Sequence, residues 1–343
     1  IAVELAKKYQ VCAIDNNIRN LDKLKKHNTK IITRKIDVKN EKFLDYLEDT
    51  ELIVNCVPGF MGFETAKKIL GKKQCVDISF MPEDCNNLKT IAENANTALY
   101  PDAGVAPGLS NMIVGNLINK YKLKEIKIMV GGLPLEKNPP WNYKAPFSPI
   151  DVIEEYTRPA RLFENGKIVT KDPLTDREII KFDTNEDLEA FNTDGLRSLL
   201  FTMSHVPNMK EKTLRYPGHA LLIQSMIDKN LFDKNNFDQT VEKLFSEWKL
   251  ENYEPEFTVL NINIYGDKQN VHYHLYDEMD MLSKSSSMAR TTGYTATATV
   301  NMLLNNLWSK KGVSPPEVVG ANESCINFLF DYLSSRNVKI SQI

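Results

Sequence analysis

Three aspartates each close a short apolar, β-rich run: Asp15 after Val11 to Ile14, Asp77 at the end of Cys75 to Ile78, and Asp102 just beyond Thr97 to Tyr100. Carboxylates at the carboxyl edge of parallel strands stand where ligands bind open α/β sheets, and they can hydrogen-bond a ribose, fix an ammonium group or take up a proton. Gly104 lets the backbone beyond Asp102 approach a ligand closely, although an aspartate ahead of a glycine also makes an ordinary turn. Asp15 fits the acidic position that accepts the ribose hydroxyls of NAD roughly 20 residues after a glycine-rich turn. That register places the G-x-G-x-x-G fingerprint upstream of Ile1. A carboxylate there repels the extra phosphate of NADP, so NAD is preferred; Asn16, Asn17 and Arg19 keep NADP open. The segment Asn55-Cys56-Val57-Pro58-Gly59 reads as a ligand loop or as a plain strand-to-helix turn. Asp37, Asn55, Val57, Pro58, Asp77 and Gly104 join Asp15 as expected cofactor contacts. His272 and His274, two apart in a strand, share one face, but no third ligand accompanies them and no metal is expected.

These residues need elements to hold them. From residue 11 to 100 the runs Val11 to Ile14, Lys30 to Thr33, Leu52 to Val57, Cys75 to Ile78 and Thr97 to Tyr100 alternate with helical stretches, which predicts β-α-β units and a parallel sheet. Glu125 to Val130 is a further strand, and Gly131-Gly132-Leu133-Pro134 through Trp141 is too rich in breakers for regular structure. Phe257 to Tyr265 and Val271 to Tyr276, joined by turn residues, predict a hairpin in a mixed α+β region. Helices are expected over Thr295 to Trp308 and Cys325 to Ser334, packing back on the first region, with Arg290-Thr291-Thr292-Gly293 ahead of the former. Ile1 to Tyr9 has the pattern of a helix interior without a cap, which implies residues upstream.

At 343 residues the chain exceeds one core of about 150. The expected division is a dinucleotide-binding domain over 1–118, a mixed α/β substrate and catalytic domain over 119–287, and a C-terminal helical segment over 288–343. With 42% hydrophobic and 26% charged residues, and no apolar run of membrane-spanning length, membrane-embedded and disordered classes are excluded. Forty-five acidic against 43 basic residues give no electrostatic case for nucleic acid, and a small or zwitterionic ligand fits better. Five scattered cysteines read as reduced thiols of a cytosolic protein.

The segment Tyr100-Pro101-Asp102-Ala103-Gly104-Val105-Ala106-Pro107-Gly108-Leu109-Ser110-Asn111 resembles the saccharopine dehydrogenase superfamily, above all its lysine 6-dehydrogenase-like branch. Further blocks follow in order: Gly131 to Pro134, Tyr143 with Phe147-Ser148, Glu155-Tyr156-Thr157, Glu189 to Thr193, Thr213 to Ala220 and Met288 to Thr295. The resemblance implies a Rossmann-type parallel-sheet domain joined to a mixed α+β catalytic domain, using NAD or NADP to oxidise or form carbon–nitrogen bonds of lysine-type substrates. It also implies a homodimer or higher homo-oligomer. Asn192 to Arg197 departs from the lysine dehydrogenase pattern, leaning toward saccharopine-dehydrogenase-like proteins; the resemblance as a whole lies closest to lysine 6-dehydrogenase-like and saccharopine reductase-like proteins.

Oxidising an amine by hydride transfer requires the nitrogen to be deprotonated and, in an amino acid, the carboxylate to be held, which the planar fork of arginine does best. Arg215 and Arg197 are the carboxylate candidates, with Thr292 beside them. Asp102, Tyr143 and His219 are the expected catalytic acids and bases. The expected reaction is oxidative deamination of the lysine ε-amine. The alternatives are saccharopine or carboxynorspermidine dehydrogenation, or a non-catalytic NAD-binding scaffold.

Overall fold

A computed structural model describes residues 1–146, 148–182, 187–251 and 253–343; Phe147, part of one of the blocks above, lies outside the described residues. The first hundred residues supply β1 (Cys12–Asp15), β2 (Ile32–Lys35), β3 (Leu52–Asn55), β4 (Gln74–Asp77) and β5 (Ala98–Tyr100). β1 pairs with β2, and β3, β4 and β5 form one sheet, every pairing parallel. The helix Gly59–Leu70 buries Ala66, Ile69 and Leu70 against the Cys75 side of this sheet.

The next strands are β6 (Leu123–Pro134), β7 (Ala160–Glu164), β8 (Lys167–Lys171), β9 (Glu178–Lys181), β10 (Asp187–Asn192), β11 (Asn208–Arg215), β12 (Glu256–Gly266) and β13 (Asn270–Glu278). Together with β15 (Ile340–Gln342) they form a mixed sheet in the order β15-β13-β12-β6-β11-β10-β9, with β7 on β11 and β8 on β7. Only β6 and β11 run parallel; the other pairs are antiparallel, including the hairpin β12–β13 with Val259 opposite Tyr276. β14 (Gly312–Val313) returns to the first sheet and pairs parallel with β5. The fold is thus the expected α/β class, a parallel-sheet region joined to a mixed sheet. Among the described residues no helix is long and apolar enough to cross a membrane.

Two local expectations are corrected. Gly131 to Pro134 belongs to β6, whose backbone is bonded on one side by β12, with Phe257 opposite Leu133, and packed on the other by β11. A β-carbon on Gly131 would stand 2.7 Å from the Leu214 carbonyl, so these glycines are where two strands come close rather than where a strand ends. Likewise Arg290 to Gly293 lie inside the helix Ser287–Leu304, whose start is set earlier by the Ser286 side chain accepting from Ala289 N at 3.3 Å.

The late segment is tied in by small residues. Gly115 in the helix Leu109–Ile118 faces the Glu317 backbone, and Gly320 in the helix Pro316–Gly320 faces the Met112 backbone, so any β-carbon at either site would overlap main chain. Gly115→Ala is therefore expected to cost ~1–3 kcal/mol by overpacking, read as a lower urea midpoint. Gly71→Ala, at a helical φ of −64° with its nearest neighbour 3.6 Å away, should stay within about 0.5 kcal/mol of the parent. Equal midpoints for the two variants would refute the close-approach account.

Candidate active site

Where the carboxyl ends of β3, β4 and β5 face the mixed sheet, a cavity of about 580 Å³ opens. Val57 and Pro58 follow β3, Ile78 to Phe80 follow β4, and Asp102 and Gly104 follow β5. Opposite stand Val130, Gly131 and Gly132 of β6, the Thr193 to Gly195 segment, and Glu211, Thr213 and Arg215 of β11. Strand ends rather than strand middles build one wall because loops there are free of the ladder and carry their side chains into the crevice.

Of the residues singled out in the sequence, Asp102, Arg215, Thr292, Val57, Pro58 and Gly104 line this cavity. The others do not. Arg197 is spent on the fold: its Nη2 reaches Asp102 Oδ1 at 3.2 Å and donates to the Met81 carbonyl at 2.6 Å, while its guanidinium lies 4.6 Å from the centre of the Phe80 ring. Both ion-pair partners are buried, and both have left-handed backbones, φ +54° at Asp102 and +55° at Arg197. Arg197 does not line the cavity, and its Nε and Nη2 are already bonded to protein oxygens.

Tyr143 and His219 are fully buried behind the wall. His219 Nδ1 is 2.9 Å from the Trp141 carbonyl, and Nε2 is 3.1 Å from the Tyr156 hydroxyl, which accepts from Arg215 Nε at 2.8 Å. Read as one chain, Arg215 donates to Tyr156, Tyr156 to Nε2, and Nδ1–H to the carbonyl; the network assigns that tautomer. Burial, with the Arg215 charge adding to it, lowers the His219 pKa to about 3, so this imidazole is neutral and does not shuttle protons near neutral pH. Tyr143 stacks its ring 4.5 Å from the Arg215 guanidinium.

The expected cofactor carboxylates also stand elsewhere. Asp15 is half-buried and accepts from Asn17 N at 2.6 Å and Asn20 Nδ2 at 3.1 Å, while Asp37 accepts from Lys39 N at 2.9 Å in a turn. Asp77 is buried beneath the wall, where it accepts from Ser79 N and Oγ and from Asn55 Nδ2. Desolvation raises its pKa to about 6. Asn55 and Asp77 thus hold the loop that presents Ser79 to the cavity instead of touching it themselves. His272 and His274 bond Asn263 and Asn261 across the hairpin, and among the described residues no group of three His, Cys, Asp or Glu could hold a metal.

The sequence reading missed Glu211. It stops at Thr213, yet strand alternation carries the same face back through Thr213 to Glu211, and Glu211, Thr213 and Arg215 all reach the cavity. Glu211 is 4% exposed, and its Oε2 accepts from Thr193 Oγ1 at 2.6 Å; that hydroxyl in turn lies 2.9 Å from Thr213 Oγ1. A side chain at Gly195 would overlap the Glu211 carboxyl, so the glycine makes room for it. Burial raises the Glu211 pKa to about 8, against the Thr193 hydrogen bond that opposes the rise. Four other cavity carboxylates have basic partners: Glu154 with Arg158 at 2.6 Å, Glu155 with Arg215 at 3.2 Å, Asp194 with Arg161 at 2.8 Å, and Asp102 with Arg197 at 3.2 Å. Among the described residues no lysine or arginine pairs with Glu211 or with Asp151, so the cavity carries uncompensated acid.

An apolar face of Val57, Pro58 and Ile78 with Gly104 baring the backbone beside it, and Val130, Gly131 and Gly132 opposite, fits a planar nicotinamide ring between them. Such a parallel sheet facing a mixed sheet across a ligand cleft defines a two-part α/β class in which a nucleotide and a substrate meet between the walls. The chain belongs to the saccharopine dehydrogenase family, since its residues 104–338 match the Saccharopine dehydrogenase C-terminal domain. Bovine mitochondrial alpha-aminoadipic semialdehyde synthase is 23% identical over 239 residues, covering 65% of this chain and 25% of that protein. The Arabidopsis thaliana alpha-aminoadipic semialdehyde synthase is 24% identical over 216 residues, 58% of this chain and 20% of its own length. The chain therefore spans a quarter or less of these curated relatives. In fold, it resembles saccharopine dehydrogenase (L-Glu forming) from Saccharomyces cerevisiae, with a TM-score of 0.77 at 17% identity over 100% of this chain and 96% of the other. It also resembles an NAD complex of homospermidine synthase from Legionella pneumophila, with a TM-score of 0.66 at 12% identity over 98% and 86%.

Two measurements test this geometry. Asp102→Asn strands the buried Arg197 charge and should cost ~3–5 kcal/mol in urea unfolding, whereas Asp102→Asn with Arg197→Met should recover part of that loss; strict additivity would deny the coupling. Unfolded, Glu211 loses its proton near 4.5, but folded it keeps it to about 8, so its carboxyl erodes stability as pH rises through that window. Glu211→Gln should gain melting temperature over the parent progressively from pH 4.5 to 8 and no further above it, and a pH-independent difference would contradict the burial assigned to Glu211.

Proposed function

We propose that this chain is an NAD(P)-dependent oxidoreductase of carbon–nitrogen bonds in lysine-type amino acids, oxidising the ε-amine of lysine in the manner of a lysine 6-dehydrogenase. The observation that carries the reading is a cavity between an apolar wall of strand ends and a mixed-sheet wall that carries Glu211, a buried carboxyl without a basic partner among the described residues. When bound, the nicotinamide supplies the hydride acceptor, and Val57, Pro58, Ile78 and Gly104 are the residues that would hold it. NAD is the preferred form on the strength of Asp15 at the end of β1.

The chain's own part is to grip, orient and keep dry. Arg215 donates to Tyr156, to the Leu214 carbonyl and to Glu155, one bond from each nitrogen, which leaves one N–H on each terminal nitrogen for a substrate carboxylate. Arg158, also on the cavity wall, commits one terminal nitrogen to Glu154. The carboxyl group of Glu211, which has no basic partner among the described residues, is offered to a cationic amine, and the apolar wall excludes water from the reacting carbon. The amino-acid substrate, a homo-oligomeric assembly and a reducing compartment, the last in keeping with five free thiols, belong to this proposal.

The names of the relatives favour saccharopine as a second substrate. Saccharopine, however, brings three carboxylates, and the two arginines of the cavity are both already paired with glutamates. An acidic cavity therefore suits lysine better. Incubating the full-length protein with lysine or saccharopine and either NAD or NADP, while following absorbance of the reduced cofactor, is expected to show turnover of lysine above saccharopine. No turnover of either amine with either cofactor would end the enzymatic reading. Arg158→Ala should raise the KM for the amino acid by about 10- to 100-fold while leaving NAD affinity unchanged; a parallel loss of both would assign Arg158 to the wall alone.

A further inference from the structure

Glu211 is used by nothing else in the fold. Its one protein hydrogen bond comes from Thr193, it pairs with no cation among the described residues, and it lines the cavity from the middle of β11, the strand that also carries Arg215. A buried carboxyl without a countercharge is costly unless something arrives to use it. Thr193, Thr213 and Gly195 surround it with two hydroxyls and a bare backbone, which fix the carboxyl yet leave its remaining oxygen free of protein donors.

From this juxtaposition we infer that Glu211 is the residue that receives the cationic nitrogen of the substrate and takes its proton before oxidation. The inference rests on the proposed amine substrate and deepens it by placing the reacting nitrogen on β11 rather than at Asp102. The step is a proton transfer: an N–H bond of the ammonium breaks, an O–H bond forms on the Glu211 carboxylate, and the electron pair stays on nitrogen. Charge balances, ammonium and carboxylate giving neutral amine and neutral acid. A free amine with its lone pair is what must exist before hydride leaves the adjoining carbon.

Several charged groups set when this happens. Glu155 of the helix Pro149–Thr157 and Asp194 after β10 both oppose ionisation of Glu211, and Arg215 on β11 favours it. With desolvation dominant, the empty site holds its proton at neutral pH, and an entering ammonium expels that proton to solvent. Cation binding is thereby linked to proton release.

The test uses binding, so it does not depend on turnover. Binding of 1,5-diaminopentane to the chain in the presence of NAD is followed calorimetrically at pH 7 in two buffers of different ionisation enthalpy. The expected result is release of a proton on binding, with affinity improving toward pH 8 and levelling above it. Glu211→Gln should abolish the release and weaken the diamine by at least tenfold while leaving NAD binding intact. Thr193→Val removes the hydrogen bond that favours the carboxylate, so it should move the pH midpoint upward, an effect that a merely structural role would not produce. Failure of the parent to bind the diamine, proton release that survives in Glu211→Gln, or an unmoved midpoint in Thr193→Val would each overturn the assignment. Linked binding without turnover of lysine or saccharopine would instead leave Glu211 in place and remove the proposed reaction; turnover undiminished in Glu211→Gln would do the reverse.

Discussion

The shape of the cavity depends on one buried cation. Arg197, from the segment after β10, crosses to Asp102 and to the Met81 carbonyl, both on the side of the parallel strands, and lies against the Phe80 ring. Because Phe80 and Asp102 are themselves part of the cavity wall, the pair that joins the two sheets also fixes the mouth between them. Removing either partner would leave a desolvated charge, which is far more costly than the pair is stabilising. The left-handed backbones at both residues are the local strain that this arrangement sustains.

A second buried carboxylate works in the same direction without a charge partner. Glu317 accepts from Thr202 Oγ1 at 2.6 Å, Ser198 Oγ at 3.0 Å and Asn111 Nδ2 at 3.3 Å, drawing the late segment onto the start of the Leu109–Ile118 helix. Three donors satisfy it, so it stitches the fold and is removed from chemistry. Glu211, with one donor and an open side, differs from it in what surrounds it rather than in what it is.

Much of the fold is legible in the residues, because alternating β-branched runs and turn residues mark the parallel strands and the β12–β13 hairpin by local pattern alone. What stays hidden depends on pairing at a distance. The glycines of β6 look like breakers until β11 and β12 are laid on either side, and β7 to β10 are short strands whose partners, not whose propensities, make them strands. At the site the difference is sharper. Asp102 and Arg215 are visible as chemistry-bearing types in distinctive segments, but nothing in the string tells that Arg197 will be consumed by Asp102, or that His219 will be buried neutral. Glu211 sits between two lysines, where a solvated strand face is the ordinary expectation, and only the alternation running back from Arg215 turns it inward.

The pairing of β14 with β5 bears on the order in which the molecule can be finished. β5 ends at Tyr100, and its outer neighbour begins at Gly312, more than two hundred positions later. While the polypeptide is still emerging from the ribosome, the early sheet therefore waits with one rim of main-chain donors and acceptors unmatched, a template open to the wrong strand. That rim of the β3–β4–β5 sheet is matched only by a segment that follows the whole run from β6 to β13 along the chain.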